Sequence, residues 1–214
     1  LEKKMSQFRN WKKDARHAHL ELGLLEWNLG PATGAEGSDE STYLTQGLVQ
    51  ADMLMQFIDQ DVFMAAAWPL MWAPAGKKNT GGFRSFFDSK TGNASSSKYI
   101  FRWFSMAGHG TVLDCKSPTP EGIHATTILQ KGGETILVYV LNKSEEDKNV
   151  TVELPKPFSV VSAQSFQEEG TLGKAAVKSL QTSSADQTVA FKMTDTSLVF
   201  LELAIDQQDT RTTH

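Results

Sequence analysis

At 214 residues the chain is long enough for one large domain or two small ones, and an apolar fraction of 40% implies a sizeable core. The formal charge of −4, from 25 acidic against 21 basic side chains, argues against the clustered Lys and Arg of a nucleic-acid surface. A single cysteine, Cys115, rules out an internal disulfide and has no Cys or His at metal-ligand spacing, so it is expected to be a buried, inert thiol.

No run reaches the ~18 apolar residues of a membrane span, and the charged start, Leu1 to Asp14, lacks the apolar centre of a signal peptide. The opening Leu-Glu-Lys-Lys, without an initiator methionine, reads as the start of an internal fragment, a processed product or a cloning scar. Phe8 to His19 is helix-compatible and leads into Leu20 to Trp27, a short apolar run of the kind found in strands buried on both faces. A loop rich in Gly, Pro, Ser and Asp follows, Gly30 to Ser41. From Thr42 to Ile58, Leu44, Leu48, Ala51, Met55 and Ile58 recur at three- and four-residue spacing, which predicts an amphipathic helix with Ser41 as N-cap. Asp59 to Asp61 breaks that pattern. Val62 to Trp68 is a second apolar run, closed by Pro69. After a glycine-rich loop (Gly76 to Gly82) and an aromatic stretch (Phe83 to Phe87), a second amphipathic helix is predicted from Ser96 to Met106. Helix, strand, helix, strand, helix is the rhythm of parallel βαβ units.

Beyond Gly108 the rhythm changes to short runs split by turns. Eight strands are predicted, at Thr111–Cys115, Ile123–Gln130, Thr135–Asn142, Asn149–Leu154, Val160–Gln167, Ala176–Leu180, Thr188–Met193 and Ser197–Leu203. With no helix between them they argue for an antiparallel sandwich. The expected organisation is α/β plus all-β: residues 1–108 as one segment, 109–204 as the β-sandwich, and 205–214 as a frayed or tag-derived tail.

The string Leu24-Leu25-Glu26-Trp27-Asn28 puts an acid at the end of a buried parallel strand, where a carboxylate is costly unless it is used. Taken alone, Glu26 reads more readily as an ordinary strand-end carboxylate bonded to a loop amide or an arginine than as a catalytic group. The second strand ends Ala67-Trp68-Pro69, and Trp72 follows in the same loop. Aromatic faces beside a carboxylate suit a sugar ring, whose axial C–H groups pack on π surfaces; the competing role for Trp68 and Trp72 is as core plugs. His17 and His19 would point to different faces of a helix, His109 between two glycines suits a turn, and Gly81-Gly82 after Lys77-Lys78 lacks the order of a phosphate loop.

In order along the chain, these strings resemble the clan A glycoside hydrolases, retaining (β/α)8-barrel enzymes that include arabinofuranosidase-, xylosidase- and agarase-like families. The resemblance implies that Glu26 is the nucleophile at the end of the seventh strand, with Trp27 and Asn28 after it. Trp68 then matches the eighth-strand tryptophan of the sugar subsite, with Trp72 beside it, and residues 82–104 form the closing helix region. It also implies that the chain is the C-terminal portion of such a barrel, its last two strand–helix units, followed by the family's C-terminal sandwich. The substrate would be a poly- or oligosaccharide, which implies an extracellular or periplasmic setting; two carboxylates suffice for the chemistry, so no metal or organic cofactor is demanded.

The family's general acid/base, a Glu after Asn on the fourth strand, has no counterpart, since no Asn-Glu dipeptide occurs. Glu36, Asp39 and Glu40 lie in the loop after Glu26, where acids beside Gly and Ser are usually solvated. The missing barrel part is therefore expected from a separate chain, or its place is taken by self-association. The competing expectation is a non-catalytic carbohydrate-binding or structural sandwich module, with aromatics such as Tyr139 or Phe166 as its sugar contacts.

Overall fold

The computed structural model describes residues 21–28, 43–68, 86–87, 94–115, 121–170 and 174–206, with single positions at 7, 10, 13, 14, 16, 19, 70 and 92. The expected helix over Phe8–His19, the loops at 30–41 and 76–82, Ser41, Pro69 and Trp72 lie wholly or mostly outside the described residues.

Strand β1 (Leu22–Trp27) and strand β2 (Val62–Ala67) pair in parallel, joined through helix α1 (Tyr43–Asp59). The helix ends where the sequence breaks its apolar period: the Asp61 amide donates to the Ile58 carbonyl at 3.0 Å, and Asp61 takes the left-handed conformation (φ 56°) that a short polar side chain tolerates. Helix α2 (Ser97–Ser105) starts without a side-chain cap at Ser96. β1 departs from the expectation of burial on both faces. Leu25 is 75% exposed and Glu26 is exposed, because among the described residues this sheet has two strands and helices cover one side of it.

Nine strands follow: β3 (Thr111–Leu113), β4 (Ile123–Leu129), β5 (Thr135–Asn142), β6 (Lys148–Glu153), β7 (Phe158–Glu168), β8 (Ala175–Ser179), β9 (Thr182–Ala185), β10 (Thr188–Met193) and β11 (Ser197–Ile205). They form a six-stranded sheet ordered β3-β4-β5-β11-β7-β8 and a three-stranded sheet ordered β6-β10-β9, every pairing antiparallel. The additional strand is β9, whose Thr-Ser-Ser-Ala has no apolar alternation to betray it and pairs at a sheet edge. Two sequence expectations are corrected. The tail reading of 205–214 began one residue too early, since Ile205 still pairs with Phe158 at the end of β11. Cys115 is exposed rather than buried, because β3 is a short edge strand that ends two residues before it.

The six-stranded sheet is buried on both faces, and strand alternation sorts its side chains. Leu137, Tyr139 and Leu141 of β5, Leu198 and Phe200 of β11, and Phe166 of β7 share one core with the helices. Their neighbours Ile136, Val138, Val140, Val199, Leu201 and Leu203 share the other with Val189, Phe191 and Met193 of the small sheet. The first core runs without a break across Gly108. Helix α2 docks through aromatic faces: Trp103 stacks on Phe200 at 5.3 Å and Phe104 on Tyr139 at 4.3 Å, while the Tyr139 hydroxyl donates to the Trp103 carbonyl at 2.8 Å. Tyr139 and Phe166 are thus fully buried, so the expectation that they would contact sugar is corrected: both are committed to the core.

Helix α1 comes closest to the sheet at Gly47, where a Cβ would stand 2.6 Å from two ring atoms of buried Phe166. Alanine in a helix interior normally gains up to about 1 kcal/mol over glycine, and here overpacking reverses that sign. Gly47→Ala is expected to destabilise the fold by roughly 1–3 kcal/mol, read as a lower urea midpoint; an unchanged or higher midpoint would mean that the helix is free to shift.

Candidate active site

The C-terminal ends of β1 and β2 lie side by side. The Trp68 amide donates to the Trp27 carbonyl at 3.1 Å, and Asn28 Nδ2 donates to the Trp68 carbonyl at 3.0 Å. From below, Gln50 Nε2 of α1 donates to Asn28 Oδ1 at 3.1 Å. Three of the residues singled out in the sequence, Trp27, Asn28 and Trp68, are therefore brought together by direct hydrogen bonds, and Glu26 precedes them in the chain. Trp72, Glu36, Asp39 and Glu40 lie outside the described residues.

These neighbours have different surroundings. Trp27 is buried, edge-on to Phe57 of α1 at 5.2 Å and tilted on Phe101 of α2 at 5.9 Å, and it serves as the anchor of the strand end. Glu26, one residue earlier, is exposed. Between Leu24 and Trp27 the register slips, three steps along β1 matching two along β2. Such an irregularity re-aims side chains and is common beside functional sites. Trp68 keeps 43% of its surface exposed, leaving aromatic area open at the same edge. Asn28 is a clamp between the two strand ends and the helix rather than a solvated amide. Among the described residues no group of three or more His, Cys, Asp or Glu side chains is arranged to hold a metal ion.

Next to the clamp is a cavity of about 270 Å³ walled by Ala65, Ala67 and Leu70, by the rings of Phe86 and Phe101, and by the amides of Asn28 and Gln50. Gln50 was not visible as a site residue in the sequence, where it reads as an ordinary polar position of an amphipathic helix; its burial to 1% exposure is a tertiary fact.

A second polar cluster, also unforeseen, ties α1 to β4. His124 Nδ1 lies 3.0 Å from Asp52 Oδ1 and its Nε2 lies 2.7 Å from Asp59 Oδ2, while Thr126 Oγ1 donates to Asp59 Oδ1 at 3.0 Å. Lys143 Nζ donates to Asp52 Oδ1 at 3.2 Å and Gln56 Nε2 to Asp52 Oδ2 at 2.9 Å. The hydrogen bonds to Asp52 and then Asp59 raise the imidazole pKa to about 9, against the opposing effect of burial. Asp52 is lowered in turn, first by His124, with Lys143 adding to it. With both ring nitrogens donating, this imidazolium is an ion clamp and has no lone pair for base chemistry. No local motif signals it, because Asp52 and Asp59 are 72 and 65 residues away from His124.

A histidine whose folded pKa lies above its unfolded value of 6.5 gives its full stabilisation below that value and loses it as pH rises through about 9. Stability to urea is expected to fall by roughly 2 kcal/mol between pH 6.5 and about 9, after allowing for partial solvent screening. His124→Gln is expected to flatten that slope; an equal slope in the variant would place the titrating group elsewhere.

No protein-family model matches the sequence, and no curated protein matches it significantly. Solved structures do. A glycoside hydrolase family 51 arabinofuranosidase from Xanthomonas axonopodis pv. citri matches with a TM-score of 0.64 at 15% identity, over 90% of this chain and 43% of that one. A family 30 subfamily 8 xylanase from Clostridium acetobutylicum matches at 0.61 and 14%, over 89% of this chain and 44% of that one. A family 44 xyloglucanase from Paenibacillus polymyxa matches at 0.60 and 12%, over 94% and 35%. The chain thus spans about two-fifths of the length of these relatives, and over that span its fold is similar to that of clan A glycoside hydrolases.

Proposed function

We propose that this chain is the C-terminal part of a retaining glycoside hydrolase acting on a poly- or oligosaccharide. Residues 1–108 contribute the last two strand–helix units of a (β/α)8 barrel, with β1-α1-β2 at their centre, and residues 109–204 contribute the sandwich. The observation that carries this reading is the placement of Glu26, an exposed carboxylate at the C-terminal end of a parallel strand, next to a tryptophan locked into the helix layer. Catalytic groups of such barrels sit at that end of the strands.

In this reading Glu26 attacks the anomeric carbon and forms a glycosyl ester, while a second carboxyl group about 5–5.5 Å away protonates the departing oxygen. The same group then takes a proton from the water that hydrolyses the ester. Trp68 offers its exposed ring to the apolar face of the sugar. Asn28 acts on the site by fixing the Trp68 backbone beside the end of β1. The acid/base comes from polypeptide outside this chain, on a separate chain or on a longer parent. Leu25, Phe63 and Leu70, between 62% and 75% exposed, are the apolar surface that such a completion, or self-association, would cover.

The test is made on the enzyme containing the complete barrel. Glu26→Gln is expected to lower kcat by at least on the order of 10³-fold with KM little changed, because the loss falls on bond formation rather than on binding. A 2-fluoro glycoside is expected to label Glu26 covalently, as read by peptide mass spectrometry. Labelling of any other residue, or full turnover by the variant, overturns the assignment.

A further inference from the structure

Gln50 stands on helix α1 at a position where its chemistry works against the fold. It is 1% exposed, and although its Nε2 donates to Asn28 Oδ1 at 3.1 Å, its Oε1 is buried with no hydrogen-bond partner among the described residues. A buried acceptor left unpaired lowers stability. An apolar side chain of similar length would fill the same space without that cost, so the contribution of Gln50 lies in the group it touches.

That group is an amide whose two ends are nearly equal in shape and opposite in hydrogen bonding. Asn28 Nδ2 donates to the Trp68 carbonyl, which can only accept. Turned end for end, Asn28 would set its own oxygen against that carbonyl. Gln50 Nε2 opposes the turn, because a donor on the helix side holds Asn28 Oδ1 there and leaves Nδ2 for Trp68. The Trp68 amide is bonded in turn to the carbonyl of buried Trp27. The line from Gln50 to Trp68 therefore has one direction, fixed at its far end by a backbone carbonyl that cannot flip.

We infer that Gln50 is a positioning residue, which sets the orientation of the Asn28 amide and through it the backbone of Trp68, and lowers stability in doing so. Its effect on turnover rests on the reading of Trp68 as the sugar platform, whereas its effect on the Trp68 backbone belongs to this chain alone.

The first measurement is therefore made on the 214-residue chain. Gln50→Met keeps the length and removes both amide atoms. Amide hydrogen exchange at Trp68 is expected to speed up about three- to tenfold, the worth of one neutral hydrogen bond. Core amides such as those of Tyr139 and Phe200 are not accelerated, and the urea midpoint stays or rises. Asn28→Ala is expected to speed Trp68 exchange at least as much, and adding Gln50→Met to it no further. Unchanged Trp68 exchange in Gln50→Met overturns the inference, as does acceleration shared by the core amides with a lowered midpoint, or additive effects in the double variant. In the enzyme containing the complete barrel, Gln50→Met is expected to raise KM about three- to tenfold with kcat within about twofold. Faster Trp68 exchange with an unchanged KM supports the positioning and overturns instead the platform role of Trp68.

Discussion

Helix α1 has to satisfy two β surfaces at once, and most of the molecule follows from how it does so. Leu44, Leu48, Ala51 and Met55 form the stripe that meets the six-stranded sheet, with Gly47 letting the backbone come down onto Phe166. Phe57 meets Trp27 of β1, and Gln50 reaches the end of that strand through Asn28. A helix with one apolar stripe needs one partner surface. This one is covered on a second side, which is why glutamines at positions 46 and 50 are almost wholly buried.

Two kinds of polar contact hold the helix in that position. Toward β1 the clamp is neutral, built from amides that bond each other and the Trp68 backbone. Toward β4 it is ionic, with one imidazolium between two carboxylates on successive parts of the same helix. The ionic clamp is spread over partly exposed side chains, so its desolvation cost stays modest. Both contacts fix the C-terminal edge of β1 relative to the sheet behind it. A carboxylate presented from a strand anchored by Trp27 is held more rigidly than one carried on a loop, and that kind of support is what precise chemistry requires.

Burial is distributed unevenly. The six-stranded sheet is covered twice, by helices and by the small sheet, and its central strands β5 and β11 are almost wholly buried. The β1–β2 pair is covered less completely, and its Leu25, Phe63 and Met64 are exposed apolar residues of a sort that globular surfaces seldom gather. The same imbalance is consistent with a fold likeness that spans nearly all of this chain and about two-fifths of its relatives.

Most of the elements were legible in the sequence because each depends on neighbours a few residues away. The three- and four-residue spacing from Leu44 to Met55 gives a helix, the turns at Gly132-Gly133 and 143–148 separate strands, and Asp59–Asp61 stops a helix, all from local backbone preference and periodicity. Strand β9 escaped because an edge of Thr and Ser needs only backbone pairing. Glu26 and Trp68 stood out because strand ends are readable from the apolar run that precedes them. Local pattern was enough for the order of helices and strands, the antiparallel sandwich and the candidate carboxylate. Long-range packing chose the partners, Gln50 with Asn28 and His124 with Asp52 and Asp59, and buried Tyr139 and Phe166 as core. Those pairings join positions 22 to 72 residues apart or depend on which face a neighbour covers, and no local pattern encodes either.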